Sequence, residues 1–126
     1  MGFLDRYQPQ VLGALRIVTA LLFLQYGMAK ILHWPHVAMF DHIPAIIVAA
    51  GVLELVGGVL LTLGLFTRIT AFICSGEMAA AYWLGHVART AEFLPILNEG
   101  GLAIMFCFVF LYIAAAGPGA WSLDRK

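Results

Sequence analysis

Four long runs of apolar residues, at about 11–31, 43–66, 69–87 and 95–117, leave this 126-residue chain few folds to choose from. A helix needs ~20 mostly apolar residues to cross a hydrocarbon core ~30 Å thick, and each run is close to that length or above it. In lipid every backbone N–H and C=O must be bonded within the protein, so such runs are helices or closed-barrel strands. None alternates apolar and polar residues strictly, which removes the barrel. Only 11% of the residues are charged and 63% are hydrophobic, where a soluble domain carries roughly 25% charged residues. The expectation is an all-α membrane protein: one domain over residues 1–126, an antiparallel bundle of four transmembrane helices, with no room for a soluble domain. Its first partner is the lipid bilayer, and no nucleic acid is expected.

The first run continues to Gly27, Lys30 and Trp34–Pro35 without a small-x-small cleavage site, so it reads as a retained helix, a cleaved signal peptide being the weaker alternative. Four spans put both termini on one side. That side carries Arg6, Arg68, Arg125 and Lys126, and the other carries Lys30 and Arg89. The excess of basic residues turns the termini towards the cytoplasm. Trp34, Tyr82, Trp83 and Trp121 fall near span ends, where an interfacial aromatic belt would sit. Cys74 and Cys107 lie inside spans three and four with no metal-ligand or C-x-x-C spacing, and read as small packing residues.

Charges inside apolar runs are the candidates for chemistry. Glu54 stands near the middle of span two, Glu77 about eight residues from the inner end of span three, and Arg16 about one and a half turns into span one. At ~1.5 Å per residue these share a layer near the midplane. Arg16, Ala20, Phe23, Gly27 and Lys30 form one helical face, and Ala50, Gly57, Gly58 and Leu61 share the face of Glu54. A charged group at mid-membrane costs roughly 2.5–3.5 kcal/mol on insertion scales, so the three should pair inside the bundle, Arg16 with Glu54 and Glu77 close by. One arginine cannot neutralise two carboxylates, which makes the layer a candidate for holding a proton. The alternative is a structural polar network that fixes helix register. A second, outer layer gathers Lys30, His86, Asn98 and Glu99, with Lys30 either snorkelling to the interface or pairing with Glu99. His33, His36, Asp41 and His42 read as a solvated loop, and no metal site is expected.

The stretches RIVTALLFLQYGMAK (16–30), ELVGGVLLTLGLFTRITA (54–71), the helix around Glu77–Met78, FLPILNEGGLAI (93–104) and AGPGAWSLD (116–124) follow one another in an order that resembles the DoxX family of small bacterial integral membrane proteins. The resemblance covers nearly the whole chain. One departure stands out: the family commonly carries N-x-G-E at the start of span four, whereas here the residues are Asn98, Glu99, Gly100 and Gly101. The acid is absent at 101, and Glu99 lies two residues earlier on a different helical face. The resemblance implies a four-helix inner-membrane protein, some of whose relatives are linked to thiosulfate:quinone oxidoreductase or quinol oxidase assemblies and others to oxidative-stress and sulfur-handling enzymes. It leaves three roles open. One is a scaffold or accessory subunit holding a soluble or membrane oxidoreductase, and another a subunit that binds quinone as its cofactor. The third is a small transporter built as a homo-oligomer. The chain has no C-x-x-C, nucleotide fingerprint or convincing haem pair of its own, so electrons would come from a partner or a bound cofactor.

Overall fold

Pro9 stands in the first turn of a helix, where its missing N–H costs nothing, and from there the chain runs as α1, Gln8–Leu32, whose last turn, Met28–Leu32, widens to π-helical spacing. The computed structural model describes residues 2–124, all-helical with loops. Pro44, extended, starts α2, Ala45–Leu63, which stops at a left-handed Gly64. After a two-residue link, α3 runs as Thr67–Ala80 and continues through a π-helical stretch, Ala81–Val87, into Ala88–Thr90. The last helix, α4, is Gly101–Ala116. Short helical turns lie at Gly2–Asp5, Ala38–Phe40 and Pro95–Asn98.

The sequence places the fourth run at 95–117, but the chain breaks inside it. Asn98 turns inward and its Oδ1 accepts the Gly100 N–H at 2.8 Å. Glu99 is left-handed, with φ 59°, so the helix restarts only at Gly101.

Helices α1 and α2 pack as one hairpin and α3 and α4 as another, with α2 against α3 and α1 against α4. Glycines set the first hairpin. A Cβ on Gly27 would stand 2.8 Å from the Leu55 Cα, and one on Gly58 2.9 Å from the Leu24 Cα. The backbones therefore approach as only glycine allows. Between the hairpins Phe23 meets Phe110 edge-on at 4.8 Å, and Phe106 stacks on Phe110 at 5.7 Å. Ala20, Leu61, Ala71, Cys74, Met78 and Ile113 fill in around them.

Helices α1 and α2 are each long and apolar enough to cross a membrane, yet only 33% and 28% of their apolar windows are buried within the protein. A core helix of a soluble protein would be mostly covered. Here Val18, Leu21, Ile46, Val52, Val56 and Val59 point outward, and α3 and α4 likewise expose Ile69, Phe72, Met105 and Phe108. That apolar coat is what lipid, rather than water, accepts. Trp34, Trp83 and Trp121 are exposed, but Tyr82 is not part of such a belt: it is 6% exposed, because its hydroxyl is bonded inside the protein. Arg6 and Arg68 lie at the terminal end, while Arg125 and Lys126, the other two basic residues counted for that side, are outside the described residues.

These contacts separate two glycines sharply. Gly27→Val forces α1 and α2 apart and should cost about 1–3 kcal/mol, the usual range for overpacking. Gly76→Ala, whose added Cβ would meet nothing within 4 Å, should stay within about 0.5 kcal/mol of the parent. Unfolding midpoints in mild detergent measure both.

Candidate functional site

Helix geometry decides which charges meet. Cα–Cβ bonds on a helix tilt towards its N-terminus. Lys30 on α1 therefore leans back into the protein, and Glu54 on the antiparallel α2 leans out to meet it. Gly51, one turn before Glu54, lies against the Lys30 Cβ and lets the lysine stem pass. The ammonium lies 2.8 Å from Glu54 Oε1 and 3.0 Å from Oε2. Glu54 is 1% exposed and the Lys30 side chain 14%. From the loop, Phe40 sets its ring 5.5 Å from the Lys30 ammonium.

Glu77 on α3 faces this pair. Both of its carboxyl oxygens are buried, with no N–H, hydroxyl or cation bonded to either; the group each can share a proton with is the Glu54 carboxyl beside it. Gly57, one turn along from Glu54, lies against the Cys74 sulfur, one turn before Glu77, so the two acids share a level. The expected meeting of Glu54 and Glu77 at one depth holds in the fold; the expected arginine does not join them.

Arg16 points the other way, towards the N-terminus of its own helix, by the same rule that turns Lys30 inward. Wholly buried, it donates from Nε to the Leu61 carbonyl at 2.9 Å. Its other nitrogens bond the carbonyls of Pro118, Ala120 at 3.1 Å and Trp121 at 2.7 Å. The residues after α4 thus form a strap, 117–124, across the terminal end. Gly119, with φ 72°, brings the strap onto Gly13, and the Ala120 N–H donates to the Pro9 carbonyl at 2.8 Å. Ser122 Oγ donates to the Gly64 carbonyl at 2.9 Å. Asp124 then caps α3, its oxygens accepting the N–H groups of Phe66 at 2.7 Å and Thr67 at 2.9 Å. Arg68 donates to the end carbonyls of α4, at Ala114 and Ala115.

The outer layer divides as well. His86 Nδ1 donates to the Asn98 carbonyl at 3.0 Å. Asn98, fully buried, donates to the Tyr82 hydroxyl at 3.1 Å and the Glu92 carbonyl at 2.9 Å, while Tyr82 donates to the Phe93 carbonyl. These groups staple the 91–100 loop to α3. Lys30 is not among them, being bound to Glu54, and Glu99 is exposed and turned away by its left-handed backbone. Tyr82 is the member that sequence reasoning assigns elsewhere, to the aromatic belt. The one signal for its true place is its register, a single helical turn before His86 on the same face. In the loop, His36 pairs with Asp41 at 2.8 Å, both exposed.

The match to the model of the DoxX family spans residues 11–87. The chain belongs to the DoxX family. The matched part of this DoxX protein carries Arg16, Lys30, Glu54 and Glu77 together, and leaves Asn98 and the strap beyond it. An uncharacterized protein of Haemophilus influenzae is 46% identical over 131 residues, covering 100% of this chain and 97% of that protein. An uncharacterized membrane protein of Mycobacterium tuberculosis is 30% identical over 133 residues, covering 94% of this chain and 82% of that one. No solved structure matches. Family membership and the likeness to a membrane protein agree with the lipid-facing surface: this is an integral membrane protein.

Two outcomes test the partner assignments. Lys30→Leu strands a buried carboxylate and should destabilise by about 3–5 kcal/mol, most of it recovered in Lys30→Leu/Glu54→Leu. Arg16→Leu should gain no such rescue from Glu54→Leu, because the two share no partner and their losses add; unfolding midpoints of the single and double variants measure this. The strap carries a pH signature. Burial opposes ionisation of Asp124, but hydrogen bonding from Thr67 and Phe66 and the charge of Arg16 outweigh it and hold the carboxyl below its usual value. A group lowered on folding stabilises above its unfolded pKa, ~3.9 for Asp, and that contribution is lost as pH falls through the folded value. Acidification below about pH 4 should therefore lower the thermal midpoint of the parent more than that of Asp124→Asn.

Proposed function

We propose that this DoxX protein crosses the bacterial inner membrane four times, with residues 2–7 and the 117–124 strap on the cytoplasmic side. It serves there as an accessory or scaffold subunit of a membrane redox system, quinone-linked or of the sulfur and oxidative-stress kind. The outward apolar residues of α3 and α4 lie alongside those of α1 and α2, which supports four crossings. Arg6 and Arg68 at the strap end support the orientation.

The observation that carries the functional reading is the Lys30–Glu54–Glu77 cluster. Its one ammonium meets one carboxylate, and a second carboxyl lies beside them with no cation of its own. Charge balance in lipid calls for a proton on the pair of acids. Ionisable groups inside a membrane mark functional sites more often than packing. Quinone chemistry couples electrons to protons, and a proton-holding carboxyl is what such a subunit contributes. Electrons come from the partner, since the sequence supplies no redox motif.

Gentle purification followed by mass spectrometry tests the role. A stoichiometric oxidoreductase partner, with or without bound quinone, is the expected result; a stable lone homo-oligomer free of quinone would sink it. Reporter fusions after residues 7, 35, 66, 92 and 124 should alternate between cytoplasmic and external activity.

A further inference from the structure

We infer that the Lys30–Glu54–Glu77 cluster exchanges protons with one side of the membrane only, through a cavity under the loop between α1 and α2. The inference rests on reading that cluster as proton-holding. The cavity has a volume of about 650 Å³ and is lined by Lys30, Ile31, His33, Asp41, His42, Ile43 and Val48. A water molecule's share of the liquid is roughly 30 Å³, so the space admits several. His33 and His42 are exposed on its wall.

Lys30 is the member of the cluster that reaches this cavity: its side chain is 14% exposed, whereas Glu54, bonded to the same ammonium, is 1% exposed. Behind Glu54 stands Glu77, with both oxygens buried and no donor beside them but the Glu54 carboxyl. The order from cavity to interior is therefore Lys30, Glu54, Glu77. At the opposite end a second hollow of about 820 Å³ lies between Gln8, Leu12, Arg68 and the strap, but no member of the cluster lines it; at that end Arg16 is bonded to Leu61 and the strap. The charged and titratable groups facing the acids are Lys30 from α1 and Cys74 from α3, and those facing Lys30 from the loop are His33, Asp41 and His42. Asp41 is engaged by His36.

The step is a proton transfer and moves no electrons. From the resting state, with the proton on Glu77, its O–H bond breaks as one forms on Glu54; as the Lys30 ammonium swings towards the cavity, the Glu54 O–H breaks and one forms on a water there, giving hydronium. A hydronium returns a proton by the reverse path, and Lys30 closes again on Glu54. The Phe40 ring over the ammonium holds the resting position.

The test uses the full chain reconstituted in liposomes, with hydrogen–deuterium exchange of the protonated carboxyl followed by its infrared C=O band. That band is assigned by its loss in Glu77→Gln or Glu54→Gln. Val48→Cys is labelled with a bulky charged thiol reagent; Cys74 is buried and part-buried Cys107 lies midway along the apolar α4, out of its reach in lipid. Exchange should slow about tenfold or more, since it must then wait for local opening. The same label on Gln8→Cys, at the strap end, should leave the rate unchanged, and Phe40→Ala should raise it. Equal rates for the two labelled proteins, with the band intact, would overturn the one-sided port while sparing the proton-holding cluster. No band that answers to either glutamate would overturn both.

Discussion

A carboxylate among acyl chains has to find a cation inside the protein, and Glu54 finds Lys30. Most of the arrangement around them follows from that need. The ammonium reaches both carboxylate oxygens only because α1 and α2 touch backbone to backbone at Gly27 and leave a channel beside Gly51. With a larger side chain at either glycine the helices would part, and the lysine stem would no longer lie along α2. In a low-dielectric interior the attraction is strong, but each ion has also lost its water. The pair is better seen as the condition for burying Glu54 than as a source of stability. The phenyl ring of Phe40 takes the remaining face of the ammonium, a contact that keeps its worth where water is scarce.

Two polar systems lie in this small protein, and their degree of satisfaction tells them apart. Arg16 makes four hydrogen bonds, three to carbonyls of the irregular strap and one to the Leu61 carbonyl at a helix end, which the Gly64 N–H reaches only at 3.3 Å. Nothing is left over for chemistry, and its part is to tie the last residues of the chain to the first helix. The Asn98–Tyr82–His86 group is filled in the same way and fixes a loop. Glu77 is the opposite case, a carboxyl with no N–H, hydroxyl or cation on either oxygen, set against the Glu54 of an ion pair that is already balanced. Buried polar networks that are complete give rigidity, whereas a buried carboxyl without a donor calls for an explanation of its own.

Much of this was legible in the sequence. The apolar runs located the first three helices to within three residues but began the fourth six residues early, and the face Arg16–Ala20–Phe23–Gly27 is buried on α1. Glycines 57 and 58 did mark close approach, to Cys74 and Leu24. Depth alone misassigned the partners. Counting residues put Arg16 and Glu54 near one level, but side chains on antiparallel helices lean in opposite directions, and seven residues, ~10 Å, separate Glu54 from Leu61, which Arg16 actually meets. The same lean brings Lys30 down to Glu54. The strap could not be read either: G-P-G and S-L-D carry no periodicity, and their contacts are with residues about sixty and a hundred positions away.

Position 101, where the family's acid is missing, opens α4 on its exposed side, and a Cβ placed there would meet no heavy atom within 4 Å. An acid in that place would stand off the first turn of α4, favoured by the helix dipole, and would not enter the cluster on α1, α2 and α3. Glu99 cannot replace it, since its left-handed backbone and exposure keep it clear of Lys30. The lysine that could have served an acid at this end is committed to Glu54. The departure from the family pattern therefore leaves the Lys30–Glu54 pair and its neighbour Glu77 untouched.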